Sequence, residues 1–130
     1  KCVIFQKFTN DEKIILDGAH SLVAAKNLAK YLKTIKGPKY AIWGMIKNKE
    51  PFKFIKQFKG VFEEVVTVPA NNKENSISNY LLMNSAKKNN LSVSSAKNVD
   101  QAIKYISSKQ KKTIVILGSL YLVGSVLDNN

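Results

Sequence analysis

The chain has 130 residues, 45% of them apolar, and a formal net charge of +12. That length fits one domain with a sizeable core, and the apolar content excludes a disordered chain. No apolar run reaches the roughly 18 residues needed to cross a bilayer, and the opening KCVIFQKF does not read as a secretory leader.

A single cysteine, Cys2, cannot form an internal disulfide, so a reducing cytoplasmic setting is expected. All 21 cationic side chains are lysines, spread along the chain without a block of five. Bidentate reading of bases favours arginine's planar fork. The charge is therefore read as a solvated lysine surface rather than a nucleic-acid stripe, and no membrane partner is expected.

In chain order, Lys1 to Lys7 alternates weakly and suits an edge strand, one able to run antiparallel to the rest. Phe8 to Glu12 reads as a turn. Ile14, Ile15 and Leu16 form a short apolar run ending at Asp17-Gly18, the pattern of a strand buried on both faces. A helix follows from Ser21 to Ile35, with Leu22, Ala25, Leu28, Ala29, Leu32 and Ile35 on one face, ended by Gly37-Pro38. Tyr40 to Gly44 is the next strand, and Met45 to Pro51 a polar loop. Pro51 opens a helix carrying Phe52, Ile55 and Phe58.

Val61 to Pro69 holds a third strand, clearest at Val65 to Val68, and a polar loop, Ala70 to Asn75, leaves it. Ser76 or Ser78 caps a helix over Ile77 to Lys88, whose large apolar residues are Ile77, Leu81 and Met83. Leu91 to Ser94 is a short strand. Asn98 and Gln101 resemble a capping box ahead of the stripe Val99, Ala102, Ile103 and Ile106. Ile114 to Leu117 is the last buried strand and Leu120 to Leu127 the last helix. This alternation predicts an α/β fold: a Rossmann-like three-layer α/β/α arrangement around a mostly parallel sheet of about six strands.

Ligands of open α/β sheets bind where strands end and helices begin. At the first such junction, Asp17 can accept hydrogen bonds from sugar hydroxyls or sit near a cation. The alternative is that it only shapes the Asp-Gly turn. His20, the single histidine, lies three residues on and can donate a hydrogen bond into the same cleft; the alternative is a surface or capping histidine. At the last junction, Gly118-Ser119 offers backbone N–H groups and a hydroxyl to an anion, or simply a serine cap. Gly44 allows close approach at the second strand's end. No second histidine accompanies His20, so no metal ligand set is expected. Nothing matches G-x-x-x-x-G-K-[ST] or G-x-G-x-x-G, so a nucleotide would find no phosphate cradle here.

DGAH at Asp17 to His20, WGMIKNKEP at Trp43 to Pro51 and GSLYLVGSVL at Gly118 to Leu127 resemble the C-terminal domain of folylpolyglutamate synthase and dihydrofolate synthase, in the wider Mur ligase family. The resemblance spans essentially the whole chain and treats residues 1–130 as one domain. It implies a ligase whose N-terminal domain, absent from this chain, carries the P-loop and most contacts to ATP and Mg2+. It implies activation of a carboxylate as an acyl phosphate and attack by the amine of L-glutamate on folate or dihydropteroate. By the same resemblance Asp17 is ATP-binding, and His20 is catalytic and glutamate-binding, with Ser119 a second glutamate ligand. Gly18, Ser21, Gly44, Lys73, Ser76 and Gly118 are further cleft-lining positions. The family usually continues DGAH with Asn-Pro, where this chain has Ser21-Leu22; at Lys73 and Ser76 it often has arginine and serine. Alone, the domain is expected to be inactive. The alternatives are a noncatalytic remnant and a basic module for nucleic acid.

Overall fold

Ile14, Ile15 and Leu16 are apolar in a row because both faces of their strand are covered. In the computed structural model, which describes residues 2–6, 12–47, 49–70, 75–107 and 111–128, successive side chains alternate between two cores. Ile15 packs with Ala41, Trp43, Val115 and Leu117 on one face, and Ile14 and Leu16 with Ile42, Ile114 and Ile116 on the other. Central strands buried on both faces are what a parallel sheet with helices on each side requires.

Six strands form that sheet: β1 (Cys2–Gln6), β2 (Glu12–Asp17), β3 (Lys39–Trp43), β4 (Glu64–Thr67), β5 (Val93–Ser95) and β6 (Lys112–Leu117). Their order is β1-β2-β6-β3-β4-β5. β1 runs antiparallel to β2 at one edge; the other five strands are parallel. The expected fold class, with its antiparallel edge strand, is the one observed. Helices α1 (Leu22–Lys33), α2 (Pro51–Lys56) and α3 (Asn79–Lys88) cover one face. Helices α4 (Val99–Ser107) and α5 (Leu120–Asp128) cover the other. No helix among the described residues is long and apolar enough to cross a membrane.

Local chemistry sets most element ends. Ser21 caps α1, its Oγ accepting from Ala24 N at 3.2 Å, and Ser78 rather than Ser76 caps α3. Asn98 Oδ1 accepts from Gln101 N, while Gln101 Oε1 accepts from Lys97 N, both at 2.8 Å. The return bond thus lands one residue before the usual capping-box position. α1 stops at Thr34, whose hydroxyl donates to Tyr31 O at 2.6 Å, earlier than Gly37-Pro38. Gly37, at φ 93°, instead turns the chain into β3.

Three helix faces differ from the sequence reading. In α3, which begins at Asn79, two residues later than expected, Leu82 and Ala86 pack into the core and Leu81 is exposed. In α2, Phe54 and Ile55 face the core while Phe52 is exposed. In α1, Leu22 lies at the exposed first turn rather than in the core. Met45 in the supposedly polar loop is fully buried, and Ile46 forms an antiparallel bridge with Ser76. Lys73, most of the 71–75 loop and residues 7–11 of the first turn lie outside the described residues.

The α3 face is directly testable. Leu82→Ala is expected to cost about 2–5 kcal/mol, a cavity in a packed core, and Leu81→Ala less than about 0.5 kcal/mol, a surface change. Urea denaturation of both variants checks this; equal losses contradict the observed face.

Candidate functional site at the carboxyl rim of the sheet

β6 lies between β2 and β3, and the register puts their last residues side by side: Asp17 beside Leu117, Leu117 beside Trp43. The chain then leaves β2 toward one face, into α1, and β6 toward the other, into α5. Where neighbouring strands send their helices to opposite faces, a crevice opens outside their carboxyl ends. Asp17 and Ser119 both lie at that split.

Each junction is tied locally. Buried Asp17 accepts from Ala19 N through Oδ1 at 2.8 Å, so the carboxylate closes the Asp-Gly turn, as the structural alternative required. His20 Nδ1 lies 2.9 Å from Gly18 O. A carbonyl oxygen only accepts, so Nδ1 is the donor and a neutral ring carries its lone pair on Nε2. On the β6 side, Ser119 is buried and caps α5, with Leu122 N donating to its Oγ at 3.4 Å. The structure therefore brings Ser119 to the rim as a cap.

Glycines let the junctions meet. Gly118 has φ 104°, and a Cβ there would collide with Gly44 O and lie 2.7 Å from Trp43 Cδ1. A Cβ on Gly44 would lie 2.7 Å from Val68 O. A Cβ on Gly18 would overlap the side chain of Leu120, which reaches across from α5. Gly44 N also donates to Leu117 O at 3.3 Å, joining the β3 and β6 exits.

Beside this crevice is an open pocket of about 280 Å³ lined by His20, Ser21, Leu22, Lys49, Glu50 and Phe54. Of the expected cleft residues, His20 and Ser21 line it. Asp17, Gly18, Gly44, Gly118 and Ser119 lie at the strand ends alongside, outside its lining. Ser76 lies outside the pocket's lining too: its Oγ accepts from Ala70 N at 2.8 Å, and that N lies 3.4 Å from where a Cβ on Gly44 would stand, which puts Ser76 beside Gly44 at the rim.

Lys49, Glu50 and Phe54 went unassigned as site residues in the sequence, although the WGMIKNKEP stretch was singled out. The signal there was two lysines flanking a loop between a glycine and a helix-opening proline. Glu50 pairs with Lys53 at 3.1 Å; Lys49 is half-buried and has no ion pair among the described residues. Phe54 forms the floor and stacks on Trp43, centroids 6.2 Å apart and planes at 11°. The arrangement offers a cation, an imidazole lone pair and an apolar floor, which suits a small molecule bearing a carboxylate and an amine. No group of three His, Cys, Asp or Glu side chains that could hold a metal on its own occurs among the described residues.

Comparisons with known proteins agree with this architecture. A family model described as "Dihydrofolate synthetase, C-terminal domain" matches residues 2–129. No curated protein matches the chain. Among solved structures, E. coli FolC in complex with DHPP and ADP is similar at 22% identity and TM-score 0.80, over 96% of this chain and 30% of that one. Mycobacterium tuberculosis folylpolyglutamate synthase with ADP and AMPPCP is similar at 20% identity and TM-score 0.80, over 90% and 29%. A bifunctional folylpolyglutamate synthase/dihydrofolate synthase with Mn, AMPPNP and L-glutamate bound is similar at 22% identity and TM-score 0.80, over 96% and 30%. The chain thus spans about 30% of the length of these relatives.

Gly118→Ala tests the convergence of the junctions. It is expected to cost more than about 2 kcal/mol, from an unfavourable φ and a clash with backbone. A denaturation midpoint equal to the wild type's would contradict it.

Proposed function

The chain belongs to the dihydrofolate synthetase C-terminal domain family, and from that premise we propose that it is the amino-acid-binding lobe of an ATP-dependent ligase. The ligase joins L-glutamate to dihydropteroate or a folate. The observation that carries this reading is the pocket pairing His20 with the half-buried cation Lys49, set against the Asp17 and Ser119 junctions. A pocket of about 280 Å³ has room for one amino acid, and the glutamate-bound relative makes that ligand the natural candidate.

The proposed chemistry has two stages. ATP converts the acceptor's carboxylate to an acyl phosphate in the other lobe, where the triphosphate and its metal bind. Glutamate's amine then attacks that carbonyl, phosphate leaves, and the amide forms. In this lobe Lys49 holds a carboxylate of glutamate by a charge-assisted hydrogen bond. His20, fixed by its Nδ1–H to Gly18 O, accepts at Nε2 a proton from the ammonium group, freeing the amine for attack. Asp17, with Oδ1 held by Ala19 N, offers Oδ2 to a ribose hydroxyl of the nucleotide. The Ser119 cap keeps the start of α5 in place beside them. A divalent cation, when bound, would offset phosphate charge; among the described residues of this chain no group of three ligating side chains would hold it.

Combined with a nucleotide-binding lobe of the family, the domain is expected to support ligation, and Asp17→Ala or His20→Ala to lower kcat/KM by about 100-fold or more. Lys49→Met is expected to raise KM for glutamate by about tenfold, the loss of one charged hydrogen bond. Steady-state kinetics of phosphate release and amide formation check all three. Wild-type activity in Asp17→Ala and His20→Ala would reject the assigned roles.

A further inference from the structure

The pocket at the rim is lined by two formally charged side chains, and they are opposite: Lys49 and Glu50. A phosphate or a plain dicarboxylate would be repelled by a carboxylate in its pocket, whereas a balanced pair matches a ligand that is itself a zwitterion. Little in the fold claims the Glu50 carboxylate. Pro51 follows it and holds its backbone out of the helical region, at φ −108° and ψ 85°. Glu50 therefore stands at the N-cap of α2, yet its side chain makes no capping hydrogen bond, the usual task of an acceptor there. Its one ion pair among the described residues is with Lys53, 3.1 Å away, and the side chains of Lys53 and Glu50 are 61% and 62% exposed. A pair so solvated holds its partners weakly, and the carboxylate can leave Lys53 for a cation in the pocket.

We infer that Glu50 recognises the ammonium group of the incoming amino acid and makes the pocket selective for amino acids over carboxylates that lack the amine. This inference rests on the ligase reading above. An ammonium group has three N–H donors. One faces Nε2 of His20, Glu50 accepts from a second, and Lys49 holds a carboxylate of the same ligand. The roles of the two acceptors differ. A carboxylate beside an ammonium favours the charged form, so Glu50 strengthens binding and opposes loss of the proton, and His20 takes the proton away. Glu50 thus acts on KM for glutamate and does not raise kcat.

The test titrates the 15N-labelled chain with L-glutamate and with glutarate, which keeps both carboxylates and lacks the amine. The wild type should bind glutamate at least about tenfold more tightly than glutarate, the worth of one charged hydrogen bond. Glu50→Gln should weaken glutamate binding about tenfold and leave glutarate binding equal or tighter, since a repulsion is removed. Lys53→Gln breaks the exposed pair outside the pocket lining and should leave glutamate binding equal or tighter. In a ligase assembled with a nucleotide-binding lobe of the family, Glu50→Gln should raise KM for glutamate about tenfold without lowering kcat, a split that a distorted backbone would not give. Equal affinities of the wild type for the two ligands, or an equal loss of both in Glu50→Gln, overturns the proposal. If glutamate binds the wild type and Glu50→Gln alike, the role of Glu50 fails and the ligase reading stands. If the wild type binds neither ligand, both fail.

Discussion

The contact between Gly118 and Gly44 is the constraint on which the site depends. Three strand exits can share one rim only if their backbones approach more closely than side chains allow. Gly118 takes a left-handed φ of 104° and presses its Cα side against Gly44 O and the edge of Trp43. Gly44 in turn lies against Val68 O. These contacts bring the ends of β6, β3 and β4 together. Gly18, with Leu120 laid over it, ties in β2. Without such contacts the crevice between α1 and α5 would splay, and His20 would lose its fixed relation to the start of α5.

Trp43 extends that constraint into the pocket. It ends β3, touches Gly118 on one side and stacks on Phe54 on the other. Phe54 in turn packs at a tilt against Phe58, and Phe58 against Phe62. The pocket floor is thus the end of an aromatic row that runs through the α1–α3 side of the core. The row has a cost: among the described residues the buried indole N–H of Trp43 has no hydrogen-bond partner, worth about 1–3 kcal/mol. Burial of a large aromatic surface offsets it. The pocket is therefore positioned by the packed core, which is how a rigid scaffold presents residues such as Lys49 and Glu50.

Much of this was legible in the chain. The triplet Ile14-Ile15-Leu16 marked a strand buried on both faces, and Val99, Ala102, Ile103 and Ile106 marked one face of α4. The antiparallel edge strand and the paired first and last junctions follow from the order of elements. What periodicity misjudged was phase. Leu81 and Leu82 are adjacent leucines, and the way α3 packs on the sheet decides which one turns inward. Phe52 and Phe54 pose the same choice in α2. The position of Lys49 was illegible for another reason: among 21 lysines, nothing local distinguishes one that folding half-buries in a pocket shared with a histidine. The strand-end positions of Asp17 and Ser119 were legible, but not how far their own backbone neighbours already engage them.

The central claim is that the carboxyl rim, at His20 and Lys49, takes an amino acid with an extra carboxylate. Titrating the 15N-labelled chain with L-glutamate tests it most directly. The account predicts amide shifts confined to residues 18–22 and 49–54, with the His20 ring nitrogens moving in step, and their loss in Lys49→Met. Shifts centred instead on the opposite end of the sheet, around Lys39 and Lys112, or no shifts at saturating glutamate, would contradict it.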